Sequence, residues 1–156
     1  MHTPNYDFKK DLVVANKTER QISKFLESMD IKTLEMRNDN KYDLLVEMPS
    51  KKHVSIEIKE DFSCRRTGNV GVEYECRGKP SGISVSQAGF YLYKVHEPSG
   101  EKRLYIIQTE NLKKMIKENK WFREVCGGDP GSNSRNYLFK LNVIKENFKC
   151  IGKLDY

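Results

Sequence analysis

The stretch His53-Val54-Ser55-Ile56-Glu57-Ile58-Lys59 decides how the rest of this 156-residue chain is read. Val54, Ile56 and Ile58 alternate with polar residues at a period of two, the pattern of a strand with one apolar face. Glu57 and Lys59 then project from the other face, roughly 6.5 Å apart at a rise of about 3.3 Å per residue. Asp43 stands at the head of the preceding apolar run, Tyr42-Asp43-Leu44-Leu45-Val46-Glu47-Met48, and Pro49-Ser50-Lys51-Lys52 turns the chain between the two segments. Together they read as an antiparallel hairpin that carries a second acid toward Glu57 and Lys59.

Working outward, Phe8, Leu12, Ala15, Ile22, Leu26 and Met29 recur at helical intervals and predict an amphipathic helix within residues 8 to 29. Glu19 occupies a place in that apolar stripe. A competing reading has Asn16 and Glu19 as a capping pair, with the helix starting only there. Ile31 to Met36 is a strand, followed by a polar turn at Asn38-Asp39-Asn40-Lys41. Downstream, Asn69 to Glu75 is a strand with Val70, Val72 and Tyr74 on one face and Gly71, Glu73 and Glu75 on the other.

Cys76 to Ile83 reads as a loop, Ser84 to Gly89 as a short helix, and Phe90 to Val95 and Leu104 to Ile107 as strands. Thr109 caps a helix from Glu110 to about Lys120. A glycine-rich loop over Cys126 to Asn136 precedes a strand at Tyr137 to Leu141, whose Tyr137 and Phe139 read as core residues. There is no repeat and no linker, so the expectation is one α/β domain over residues 1–156.

Composition sets the bounds. The chain is 37% hydrophobic and 32% charged, which fits a globular protein with a wet surface. No run approaches the ~18 apolar residues of a membrane span, and the N-terminus lacks the pattern of a signal peptide. Cys64, Cys76, Cys126 and Cys150 show neither CxxC pairing nor clustered histidines, which points to reduced thiols in the cytoplasm. A formal charge of +6 favours a polyanionic partner.

Two acids and a lysine on neighbouring strands are what metal-assisted phosphodiester cleavage requires. A divalent ion activates water and stabilises the departing oxygen, and magnesium takes hard oxygen ligands. Asp43 and Glu57 supply carboxylates and Ile58 a backbone carbonyl, while Lys59 is placed to steady the attacking water or the charge on the phosphate. An acid two residues before a lysine is common here, occurring also at Asp7, Asp30, Asp39 and Glu118. Only Glu57-Ile58-Lys59 lies in an apolar strand behind another acid. The same residues also read as a solvated strand face with an ion pair of little energetic weight.

Asp43, the hairpin and Glu57-Ile58-Lys59 resemble the PD-(D/E)xK nuclease superfamily. Gln87-Ala88-Gly89-Phe90-Tyr91 resembles the Q-x-x-x-Y element of its RecB-like members, and Glu19 matches the glutamate that the first helix contributes in many of them. Tyr42 stands where the proline that names the motif would be. The resemblance spans roughly residues 11 to 95. It implies a restriction-endonuclease-like αβββαβ core, a mixed sheet flanked by helices, here with a C-terminal helix-strand extension. It further implies a Mg2+-dependent nuclease, with Mn2+ able to substitute, in which Asp43, Glu57, Lys59, Glu19 and Gln87 are catalytic. The metal ligands would be Asp43, Glu57, Ile58 and Glu19.

Around this set, Arg65, Arg66, Arg77, Lys79, Ser84 and Tyr91 are candidate nucleic-acid contacts, with Arg65-Arg66-Thr67-Gly68-Asn69 read as a phosphate-contacting loop. Ser84, with Ser86, would contact phosphate from a helix N-terminus or simply cap that helix. Glu73 and Glu75 alternate toward the same face. Within the superfamily the chain looks like the small dimeric nucleases of phages and mobile elements, including Holliday junction resolvases. That implies DNA, duplex or branched, as partner, and a homodimer, because two symmetric sites cut two strands. The alternative is a non-catalytic nucleic-acid-binding module that kept the fold; a third reading is a module for an acidic protein.

Overall fold

The computed structural model describes residues 6–37, 41–127 and 133–155, without the side chains of residues 6–16. Phe8, Leu12, Ala15 and Asn16 therefore have no described side chains, and residues 38–40 of the expected turn lie outside the described residues, as do residues 128–132 of the glycine-rich loop. The chain is of the α/β class, with a mixed sheet and four helices among the described residues.

Helix α1 runs Tyr6–Glu27. Residues 16 to 19 are thus interior to it, which overturns the capping reading of Asn16 and Glu19. The stripe wins because its apolar members have a surface to cover. Ile22 and Leu26 pack with Leu44, Val46, Ile56, Leu92 and Leu104, whereas Met29 lies beyond the helix and is exposed.

Strands β1 (Lys32–Met36), β2 (Leu44–Glu47) and β3 (His53–Asp61) form an antiparallel meander. Strand β6 (Phe90–His96) then pairs with β3 in parallel, and β7 (Lys102–Gln108) and β10 (Lys149–Leu154) complete a six-stranded sheet of order β1-β2-β3-β6-β7-β10. The apolar alternation of β3 is obeyed: Ile56 joins the α1 side, so Glu57 and Lys59 take the other.

The expected third strand, Asn69 to Glu75, is not in this sheet. It is β4 (Asn69–Cys76), which pairs with β5 (Lys79–Pro80) and β9 (Ser134–Lys140), and β9 with β8 (Arg123–Gly127), in a second, antiparallel sheet. The connection from β3 to β6 holds the short helix α2 (Cys64–Thr67), β4 and β5, where a crossover helix was expected. The C-terminal part is also richer than a helix and a strand. Helix α3 (Thr109–Lys117) leads to β8, β9, α4 (Leu141–Asn147) and β10. One core joins the two sheets: Tyr91, Tyr93, Val95, Tyr105 and Ile107 pack with Val70, Val72 and Phe139 and with Leu112, Met115 and Ile144 of the later helices. Phe139 is fully buried and Tyr137 packs against this core, as expected.

Two local expectations fail for one reason, competition from tertiary hydrogen bonds. Ser84 to Gly89 is not helical; a 3-10 turn at Gly82–Ser84 is followed by extended chain. There the Gly89 N–H donates to the Ser55 hydroxyl, and the Gly89 carbonyl accepts from the Thr109 N–H. Thr109 does not cap α3, because its hydroxyl donates to the Ala88 carbonyl at 2.7 Å. The Arg65-Arg66 segment is helix α2 rather than a loop.

Candidate active site

Asp43 sits one residue before β2, where the β2–β3 ladder ends. Its N–H donates to the Ile56 carbonyl at 2.9 Å and its carbonyl accepts from the Arg37 N–H at 2.8 Å. Its side chain continues the ladder: Oδ2 accepts from the Ile58 N–H at 2.7 Å. In an extended strand a residue's N–H and C=O leave on the same side, so the Ile58 carbonyl is directed toward the same edge. Short polar Asp at a strand start, which stands in for a backbone acceptor, is the local chemistry that fixes this carboxylate.

Glu57 lies beside Tyr91 in the β3–β6 register, and Lys59 beside Tyr93. Lys59 Nζ is 3.4 Å from Glu57 Oε2. Glu19 reaches the same neighbourhood from α1; it is 6% exposed, and its Oε2 has no hydrogen-bond partner among the described residues. Burial, then the charge of Glu57, raises the Glu19 carboxyl above its ordinary range. Asp43 is pushed up to about 7, by burial first and then by Glu57, with Glu19 adding to the effect and the Ile58 N–H opposing it.

Three carboxylates therefore feel one another where Lys59 ion-pairs with Glu57. Such a site holds more negative charge than it balances, and it has hard oxygen donors. That donor set fits a magnesium-like cation, for which one or two carboxylates suffice when water and substrate complete the shell. It is not a closed cage, since among the described residues no three His, Cys, Asp or Glu side chains gather as a ready ion site.

Comparisons with protein-family models, with curated proteins and with solved structures gave no match. The site is therefore interpreted from its own chemistry.

Glu57 and Lys59 open onto a cleft between the two sheets. One hollow of about 410 Å3 is bordered by Lys59, Asp61, Gly71, Tyr93, Asn136 and Leu138, among others. A second, of about 380 Å3, is bordered by Glu57, Ser81, Val85 and Ser86; Lys59, Glu73, Gly82 and Tyr91 border both. Tyr91 is 1% exposed, and burial pushes its hydroxyl up to about 12, which keeps it a proton donor.

The other expected site residues are placed less uniformly. Gln87 is exposed on the extended segment before β6, with no hydrogen bond to Asp43, Glu57 or Lys59. Arg65, Arg66, Arg77 and Lys79 are exposed, Arg77 in a left-handed turn at φ 54°. Ser84 is not at a helix N-terminus facing solvent; its hydroxyl donates to the Tyr74 carbonyl at 2.8 Å. Glu73 faces the cleft, where Ser81 and Ser134 donate to its two oxygens, whereas Glu75 pairs with Arg135. Lys94, a basic residue near this region in sequence, is buried on the α1 side, 3.2 Å from Glu60.

Sequence reasoning missed the cleft wall from β8 and β9, including Asn136 and Ser134. These residues belong to segments with no chemical motif, and only the pairing of β4 with β9 brings them opposite Lys59.

Proposed function

We propose that this chain is a metal-dependent deoxyribonuclease that hydrolyses DNA phosphodiester bonds. The observation that carries the reading is that the Asp43 and Glu19 carboxyls both feel the charge of Glu57, which ion-pairs with Lys59 at 3.4 Å, with Asp43 raised to about 7 by burial first and then by Glu57 and Glu19. Carboxylates held close together in a half-buried site are a recurring mark of functional sites, and a divalent cation would supply the missing counter-charge. The order β1-β2-β3-β6, with β6 parallel to β3 and α1 on one face, supports the PD-(D/E)xK resemblance. The extra sheet is a departure from its plain αβββαβ core.

Asp43, Glu57 and the Ile58 carbonyl would hold Mg2+ or Mn2+, with Glu19 close enough to steady the site by charge. When bound, the cation activates water and stabilises the leaving oxygen. Lys59, tethered by Glu57, presents an ammonium to the scissile phosphate and orients the nucleophile. Tyr91 contributes a buried hydroxyl at the cleft. The charge of +6 favours a DNA strand approaching from the basic surface, with Arg65, Arg66, Arg77 and Lys79 available to phosphates. A homodimer with two such sites would serve duplex or branched DNA, as in junction resolvases.

The test is a cleavage assay on end-labelled DNA with magnesium, manganese or EDTA, with Lys59→Ala beside the wild type. Metal-dependent products that vanish in Lys59→Ala, with DNA binding kept, are expected. Unchanged cleavage in that variant would remove the assignment. Binding without any product would favour the non-catalytic module.

A further inference from the structure

The cleft between the sheets has chemistry that the carboxylate site does not use. Its acids are mostly committed: Asp61 accepts from the Cys64 and Gly71 N–H groups, and Glu73 from Ser81 and Ser134. They brace the wall. Tyr93 is committed too, its hydroxyl donating to the Gly71 carbonyl at 3.1 Å.

Tyr91 is the exception. Its hydroxyl is buried and, among the described residues, makes no hydrogen bond of good geometry, with the Ser86 side chain close enough to influence it, and the residue borders both hollows. A buried hydroxyl without a good partner is costly, and a ligand that completes the bond returns that cost. The facing wall combines Gly71, Gly127, Ser134 and Asn136 with the apolar Val125 and Leu138. A Cβ on Gly71 would come 3.3 Å from Asn136 Oδ1, and one on Gly127 would meet nothing within 4 Å. A walled hollow with a phenol and an amide suits a neutral, hydrogen-bonding group, and its acidic rim disfavours a phosphate anywhere but at Lys59.

We infer that the cleft takes an unpaired stretch of DNA strand, with one nucleobase in the hollow beside Asn136 and Tyr91 and its adjoining phosphate at Lys59. This rests on the nuclease reading and narrows its substrate. Volumes of about 410 and 380 Å3 lie at the small end of ligand pockets, ~300–1,000 Å3. Each hollow admits a single nucleotide, and a base that is stacked and paired cannot enter.

The experiment compares one DNA sequence as a duplex, as a single strand, and as a duplex with a short unpaired bulge. Cleavage is followed in Mg2+ with the wild type, Gly71→Leu and Gly127→Leu; binding is followed with each. Gly127→Leu guards against misfolding, because its Cβ would meet no described atom within 4 Å, and the Mg2+-induced rise in melting temperature reports that the carboxylate site survives. The wild type should cut the unpaired substrates at least about tenfold faster than the duplex, the lower end of what one base contact contributes. Both leucine variants should lose that margin yet keep the Mg2+ response. A duplex cut as fast as the single strand overturns the inference and leaves the nuclease reading intact. No cutting of any substrate, with single-strand binding that the leucine variants weaken, removes the nuclease reading and supports an unpaired strand in the cleft. Neither cutting nor binding overturns both.

Discussion

Asp43→Asn should make the protein more stable at neutral pH while removing its activity. The Asp43 carboxyl has an ordinary value of 3.8 and is pushed up to about 7 by burial and by Glu57 and Glu19. As pH rises from about 4, the unfolded chain releases this proton first, and the folded state falls behind by about 1.36 kcal/mol per pH unit until about pH 7. The stability tied to this group is thus fully present in acid and lost as pH rises through that window. The limit of the effect is about 4 kcal/mol, and because Asp43 and Glu57 titrate together at a partly wet edge, about 2 kcal/mol is the working figure. Asparagine keeps an oxygen for the Ile58 N–H, so the ladder-end hydrogen bond survives.

Thermal unfolding at pH 4, 6 and 8 reads this directly. At about 2–4 °C per kcal/mol for a chain of this size, the variant should melt about 4–8 °C above the wild type at pH 8, with the gap closing toward pH 4. Magnesium should then stabilise the wild type by about 2.7 kcal/mol at a hundredfold excess over its dissociation constant. The variant should lose most of that response and all cleavage. A melting temperature lower at pH 8, or a gap that does not change with pH, refutes the account of Asp43 as a charge held against its neighbours.

Other perturbations separate structure from chemistry. Gly82→Ala should destabilise by about 1–3 kcal/mol, because φ is +52° and the new Cβ would lie 2.2 Å from the Glu73 carbonyl oxygen; denaturant unfolding measures it. Glu60→Leu should cost about 3 kcal/mol or more by stranding the buried Lys94, and a melt unchanged from wild type would show that the Glu60–Lys94–His96 group is not a paired unit. Burial pushes the Glu60 carboxyl up, but the Thr18 hydroxyl, His96 and Lys94 outweigh it and hold the group below its usual range. Its stabilising effect is therefore present above the usual glutamate range and lost as pH falls below it, a slope that acid titration of Glu60→Gln should lack.

Much of the six-stranded sheet was legible because period-two patterning in β3 is a direct consequence of having one apolar face. Asp43 was legible for a related reason: an acid at a strand head is placed by the register of the hairpin. Glu19 stood out as the polar member of a helical stripe. What could not be read is which strand pairs with which. Val70 and Val72 alternate identically whether β4 extends the first sheet or founds a second. Strand β8 is mostly exposed and opens with Arg123 and Glu124, so its membership depends on hydrogen bonds to β9 and carries no apolar signature. Ser84 to Gly89 has a helix-compatible composition, but Ser55 and Thr109, distant in sequence, take hydrogen bonds that a helix would have kept local.

The second sheet changes what the carboxylate site can accept. With Glu57 and Lys59 on an open sheet face, the site would meet a duplex from above, and recognition would rest on phosphates alone. Strands β4, β8 and β9 close that face on one side and leave a cleft whose walls are Gly71, Asn136 and Glu73. The link between wall and chemistry is short: Gly82 lies against the Glu73 backbone, and Ser81 and Ser134 hold the Glu73 carboxylate. On the proposed reading, a strand entering beside Lys59 passes Tyr91, whose buried hydroxyl lies at the border of both hollows. On the nuclease reading proposed above, the insertion would select substrate geometry and the hairpin edge would carry the bond cleavage. Mutations in β4 or β9 should accordingly change which DNA is cut before they change whether the metal binds.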